Sequence, residues 1–313
     1  MPSRFDRFDP KRIRPAAVES LNHKVHVDQF GTSVGKGATV DDLLRSLPGI
    51  LAARDLCTVI DRVADAKRSG APVLFLFGAH VVKCGLAPVM IPLIEQGVIA
   101  GLATNGAGAI HDYEIARFGS TSEDVPSNLQ KGLFGMSRET AEGMNGEIAR
   151  GLEEDMGIGE ALGRALERDR APYRESSLLA AAWRAGIPFT VHVALGTDIV
   201  HMHPSASGEA IGKATMIDFH TFVASVEKLT GKSVVLHAGS AVILPEVLLK
   251  AAAMLQSAGT PPAPFLAVNC DMNRAYRPTQ NVLRRPAGEG IDLTGHHEIL
   301  LPLLAAGILS RLR

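Results

Sequence analysis

Five short apolar runs recur along the chain: VLFLF at 73–77, VIAGLA at 98–103, PFTVHVAL at 188–195, SVVLHA at 233–238 and PFLAVN at 264–269. They are rich in β-branched and aromatic residues and lack clean polar–apolar alternation, as expected of strands buried on both faces. Between them lie helical segments, APVMIPLIEQG, SLLAAAWRAG, TMIDFHTFVASVEKLTG and PEVLLKAAAMLQSAG, each closing near a glycine. Strand and helix repeated this often predict a parallel sheet with right-handed crossovers. The expected fold class is α/β, a three-layer, Rossmann-like parallel sheet of about six strands with helices on both faces.

The rest of the chain arranges itself around that sheet. Residues 1–37 are polar and proline-marked and read as an arm, leaving 38–313 as one α/β domain. An amphipathic helix follows Gly37, with Thr39 as its cap, Asp41 and Asp42 in its first turn, and an interruption near Pro48. Residues 120–175 break the rhythm with a helical, glycine-studded insertion, expected to be a lid or a subunit contact.

Composition narrows the partner. The 46% apolar fraction describes an ordered globular chain, and 32 basic against 33 acidic residues leave no field to draw in nucleic acid or an anionic membrane. The charged N-terminus MPSRFDRFDPKRIRP has no apolar core, so neither a secretory signal nor a membrane span is expected. Cys57, Cys84 and Cys270 form no CxxC pair, which argues against a disulfide framework and suggests the reducing cytoplasm. A small molecule or a second copy of the chain is the expected partner.

In a parallel sheet ligands collect at the carboxyl ends of the strands. The residues there read FGAHVVKCG, ATNGAGAIHD, LGTDIVHMHP, HAGSAV and NCDMNRAYRP, and gather glycine, hydroxyl, amide, imidazole and carboxylate at one edge. Gly106-Ala107-Gly108 begins like the dinucleotide fingerprint GxGxxG, but His111 occupies the third glycine and no acid follows at a strand tip. A glycine-bearing turn remains, whose amides would suit a phosphate or merely relieve strain. Asp112 and Glu114 behind it are either functional or dipole partners of the helix.

Histidines offer a second chemistry. In an extended DIVHMHP segment, His201 and His203 would share one face as paired metal ligands, with His192, His220 or His237 as a third and His80 or Asp198 as a fourth. Alternatively His192 and His237 belong to the core, while His296 and His297 cap or precede a helix. HAGSA is not the GxSxG of a serine hydrolase, and no GxxxxGK[ST] phosphate loop exists.

Taken in order, LATNGAGAIHDYE, SLLAAAWRAGIPFTVHVALGTDIVHMH, SVVLHAGSAVILPEVLLKAAAML and APFLAVNCDMNRAYRP resemble the deoxyhypusine synthase superfamily over roughly residues 70–290. The resemblance implies NAD bound across the strand ends and active sites shared between paired subunits of a homotetramer. By position it puts Thr104, Asn105, Gly106, Ala107 and Gly108 on the cofactor, and Asp198, Gly239, Ser240, Asn269 and Asp271 along the same site. The lysine that forms an imine in true deoxyhypusine synthases is absent. Leu244, Pro245 and Glu246 stand in its region, and the nearest lysine is Lys250. NGAGAIHDYEIARFG also resembles the alternative ornithine cyclodeaminase branch, whose hydride chemistry needs no enzyme lysine.

The resulting expectation is an NAD-dependent enzyme acting on a small amine or amino acid through transient hydride abstraction. His111 or His80 would be the base, and Asp112, Asp198 or Asp271 the carboxylate. The rivals are a metal-dependent hydrolase or lyase built on His201 and His203, and an idle nucleotide-binding member.

Overall fold

A computed structural model describes residues 3–312. Residues 3–37 carry only three short 3-10 turns and bury no side chain; residues 1–2 of the expected arm lie outside the described residues. Thr39 caps α1 (Val40–Ser46): its hydroxyl accepts the Asp42 amide at 3.1 Å, while the Asp42 carboxylate accepts the Thr39 amide at 2.9 Å. The chain breaks at Pro48 and resumes as α2 (Leu51–Ser69), which ends at Gly70 in the left-handed region.

The alternation then proceeds as β1 (Val73–Phe77), α3 (Ala79–Lys83), α4 (Ala87–Glu95), β2 (Gly101–Asn105) and α5 (Gly106–Phe118). The segment expected as an insertion supplies α6 (Val125–Gln130), α7 (Arg138–Leu152) and α8 (Ile158–Arg168), followed by α9 (Leu178–Ala185) and β3 (Phe189–His192). The remainder is α10 (Gly208–Glu227), β4 (Val234–Ala238), α11 (Ile243–Ala258), β5 (Leu266–Asp271), β6 (Glu289–Thr294) and α12 (His297–Arg311).

All six strands are parallel, in the order β3-β2-β1-β4-β5-β6. Alternate residues feed two cores. Val73, Phe75 and Phe77 face α2, α4, α5 and α12, whereas Leu74 and Leu76 face Phe222 and Val226 of α10 and Leu248 and Leu255 of α11. That two-sided burial is why the strands show no alternation in sequence.

Most of the 120–175 segment is not a lid. Met144 and Ile148 of α7 and Leu162 and Leu166 of α8 are buried in the main core. Its glycines serve close packing: a Cβ on Gly159 would lie 1.8 Å from the Phe189 carbonyl oxygen, and one on Gly163 would lie 2.7 Å from that of Leu179. Only the stretch at 120–136 lies mostly at the surface. β6 is the strand that sequence pattern did not single out; as the sheet edge it carries Glu289, Asp292 and Thr294 and buries only Leu293.

Candidate functional site

Strand order reverses between β1 and β4, the place where a sheet of this order leaves a crevice beyond its carboxyl ends. The loops after those strands touch. Gly78 donates its amide to the Ala238 carbonyl at 2.8 Å, and a Cβ on Gly78 would lie 2.0 Å from the Gly239 carbonyl oxygen.

The Asn105–Gly108 stretch is not a loop. β2 runs directly into α5, the Asn105 side chain caps the Gly108 amide at 2.9 Å, and neither Gly106 nor Gly108 has positive φ. Both glycines admit side chains of the chain itself. Asp198 Oδ2 would lie 1.8 Å from a Cβ on Gly106, and Thr104 Oγ1 would lie 2.0 Å from one on Gly108. Thr104 is wholly buried and donates to the Phe77 carbonyl at 2.7 Å. Ala107, half-buried, is the part of this turn left toward the edge.

His111 and Asp112 point to different environments. His111 lines a cavity of about 620 Å³ with Lys83, Glu114, Thr121, Phe134, Thr140 and others, between α3, α5 and the 120–140 stretch. Its Nδ1 lies 2.6 Å from Thr121 Oγ1; Thr121 donates to Glu114 Oε2 at 2.5 Å, and Thr140 donates to Glu114 Oε1 at 3.0 Å. With the threonine proton directed at Glu114, His111 Nδ1 carries the hydrogen and Nε2 keeps its lone pair. Burial, with help from Lys83, pushes the His111 pKa down to about 4, so the ring is neutral near pH 7.

Asp112 instead turns inward and caps α9. It accepts from the amides of Leu178 at 2.8 Å and Leu179 at 3.0 Å and from the Ser177 hydroxyl at 2.5 Å. With no exposed surface it is out of reach of a ligand at the strand ends. The expected carboxylate role therefore does not suit Asp112: its two oxygens are taken up as hydrogen-bond acceptors at the head of another helix.

Asp198 lies against Gly106, its Oδ2 3.8 Å from His201 Nε2, and burial raises its pKa. Residues Ile199–Met202 form a 3-10 turn, so His201 and His203 do not share a face as an extended segment would place them. His201 Nδ1 accepts the amides of Gly196 and Asp198, each at 3.2 Å, and His203 Nδ1 accepts that of Ser205 at 3.2 Å. Among the described residues, the one convergence of three metal-ligand side chains lies elsewhere. His192 is a core residue 3.0 Å from Thr190 Oγ1, its pKa pushed down to about 3 by burial. His220 is exposed on α10.

On the β4 side, the left-handed Gly239 leads to Ser240, whose hydroxyl accepts the Leu244 amide at 3.2 Å. The exposed Ala241 and Val242 precede α11, and their amides find no acceptor among the described residues. Beneath them a polar chain crosses three strands. His237 Nδ1 meets Asn269 Oδ1 at 2.7 Å, Asn269 Nδ2 donates to Asp292 at 2.9 Å, and Arg274 pairs with Asp292 at 2.9 Å. Asn269 is thus occupied within the sheet. Buried His237 Nε2 has no hydrogen-bond partner among the described residues, and burial lowers the pKa of the ring. Asp271, half-buried at the tip of β5, accepts the Asn273 amide at 3.3 Å.

No family model and no curated protein matches the sequence. Solved structures do match the fold. A proposed deoxyhypusine synthase from Entamoeba histolytica superposes with a TM-score of 0.55 at 14% identity, over 90% of this chain and 96% of that one. The fold is deoxyhypusine synthase-like. A conserved proposed LOR/SDH protein from Methanococcus maripaludis S2 gives a TM-score of 0.55 at 13% identity, covering 95% of this chain and 76% of its own. AgrE, in a ternary complex with ornithine and NAD+, gives 0.54 at 17% identity over 82% of this chain. The present chain spans about a third (33%) of AgrE.

In this deoxyhypusine synthase-like sheet the expected residues divide into groups. His111 faces the cavity, Asp198 the α5 N-terminus, and Gly239, Ser240 and Asp271 the β4–β5 edge, while Thr104, Asp112 and Asn269 are structural. His80 contacts Cys84 at 3.2 Å and stands apart from His111's hydrogen-bond network. Lys250 pairs with Glu246 at the surface. The lysine of the cavity is Lys83, which spacing alone did not reveal; its place six residues after the end of β1, in the FGAHVVKCG stretch, was the available signal.

Proposed function

We propose that the chain is an NAD-dependent enzyme that acts on a small amine or amino acid by transient hydride abstraction. The observation that carries this reading is the reversal of strand order between β1 and β4, with the His111 cavity on the same edge. AgrE, whose complex contains ornithine and NAD+, suggests the ligand chemistry by analogy of fold.

The residues fit a dinucleotide on the β4 side of the reversal. The acceptor-free amides of Ala241 and Val242 at the head of α11 suit a pyrophosphate, and the unpaired Nε2 of His237 lies beneath the adjoining loop. Gly239, Ser240 and Asp271 border this position. The Gly106–Gly108 turn fits less well, because Asp198 and Thr104 already occupy the space its missing side chains provide. Held at this edge by these residues, NAD would supply a reversible hydride acceptor for the substrate carbon that bears the amine.

The chain's own groups manage charge and protons. His111 Nε2 takes a proton from the substrate ammonium, and Glu114, with Oε2 3.9 Å from Nδ1, stabilises the imidazolium that results. Lys83 across the cavity pairs with a carboxylate if the substrate is an amino acid. Phe118 and Phe134 supply apolar wall that limits water.

The test is calorimetric titration with NAD+, followed by absorbance detection of transient cofactor reduction on adding ornithine and related diamines. One NAD+ per chain is expected. His111→Gln should retain that affinity and slow reduction about 10²–10⁴-fold. Absence of NAD+ binding refutes the proposal.

A further inference from the structure

A second cluster lies outside the proposed chemistry. His80 and Cys84, four residues apart on α3 and its C-cap, share one face, with Cys84 Sγ 3.2 Å from His80 Nε2. Glu298, in the first turn of α12, brings Oε2 to 3.8 Å from the same sulfur. The three donor atoms all lie within 4.8 Å of one another.

A tetrahedral zinc ion, with bonds of about 2.0–2.3 Å to nitrogen, oxygen and sulfur, holds its ligand atoms roughly 3.3–3.7 Å apart. The sulfur–nitrogen and sulfur–oxygen separations bracket that spacing, so little rearrangement would be needed. Both supporting elements are anchored: the Cys84 amide donates to the His80 carbonyl at 2.9 Å, and His297, next to Glu298, sets its Nε2 3.0 Å from the Cys270 carbonyl. The His297 ring lies 5.4 Å from that of His80, and its buried Nδ1 has no partner among the described residues. One imidazole, one thiolate and one carboxylate suit a borderline-soft divalent ion, whereas magnesium and calcium prefer all-oxygen sites.

We propose that His80, Cys84 and Glu298 bind one zinc-class divalent cation, with water as the fourth ligand on the exposed side. The ion ties α3 to α12. Because α3 also carries Lys83 into the His111 cavity, occupancy fixes the position of that ammonium. The site stands whether or not the chain binds NAD.

The test uses the full chain, stripped by a chelator and titrated with Zn²⁺ against a chromophoric competitor, then with Co²⁺. The expected result is one high-affinity equivalent and a thiolate-to-cobalt charge-transfer band. Loss of an outer partner of a metal ligand already weakens binding about 10–100-fold, so Cys84→Ser should abolish the band and weaken zinc binding at least about 100-fold. Glu298→Gln, at an exposed position where folding is not at stake, should weaken it at least about tenfold. Failure of the wild-type chain to take up one equivalent, or unchanged affinity in both variants, overturns the proposal.

Discussion

Asp112→Asn separates the charge at the head of α9 from its shape. Three donors converge on the carboxylate, yet its complete burial pushes the pKa from 3.8 up to about 6. A difference of about two pH units corresponds to about 3 kcal/mol. A carboxyl whose pKa rises on folding contributes its stability below the unfolded value and loses it as pH climbs through the folded one. The wild-type chain should therefore lose about 3 kcal/mol through Asp112 between about pH 3 and pH 7. Asparagine does not titrate. It can still accept from Leu178, but its amide group faces the Leu179 amide, which orphans a buried donor at a pH-independent cost of about 1–3 kcal/mol. Urea denaturation at pH 4.5 and 7.5 checks the difference: the deficit of the variant should shrink by about 2 kcal/mol as pH rises. Asp218, also buried and pushed up to about 8, titrates in both proteins and cancels. Parallel stability curves would refute the reasoning, because they would mean that the three donors offset desolvation fully.

Other expectations concern separate parts of the molecule. Since His111 is neutral down to about pH 4, the kcat/KM profile for amine oxidation should show no ionisation of this base near 6.5 and an acid limb near 4; a limb near 6.5 refutes the assignment. Gly78→Ala should destabilise more than Gly106→Ala in thermal denaturation, by about 1–3 kcal/mol or more. The first new methyl meets a backbone carbonyl and the second a carboxylate able to turn aside; equal melting temperatures would contradict this. Cys270, whose thiol burial pushes up to about 12, should resist alkylation until the chain unfolds, while half-buried Cys57 and Cys84 react first in chelator-treated protein, as mass spectrometry of labelled peptides would show.

The sheet was legible where burial on both faces left an unambiguous pattern. VLFLF is β1 residue for residue, because all five side chains are buried. β2 begins later than its apolar run: Val98 and Ile99 are a buried lead-in, and Thr104 joins the strand because the Phe77 carbonyl satisfies its hydroxyl. β6 escaped notice because an edge strand exposes polar residues that look like loop. The gathering of polar groups at the strand ends followed from parallel topology alone. Their division did not. His111 and Asp112 are adjacent in sequence, but successive helical residues project about 100° apart, so one reaches the cavity and the other the head of α9. Nor did spacing reveal the meeting of Lys83 with His111, or of Cys84 with Glu298, since both depend on how helices pack across long sequence separations.

The chain His237–Asn269–Asp292 also acts as an alignment key. These residues are direct cross-strand partners in β4, β5 and β6, set among neighbours that are mostly aliphatic and nearly interchangeable. Sliding β5 by two residues keeps every side chain on its proper face, yet sets His237 opposite Ala267 or Asp271 and Asn269 opposite Gly290 or Thr294. Such a slip strands polar groups in a dry sheet, at about 1–3 kcal/mol for each group left unpaired. Greasy strands alone would tolerate several alignments; three polar side chains in a row select one.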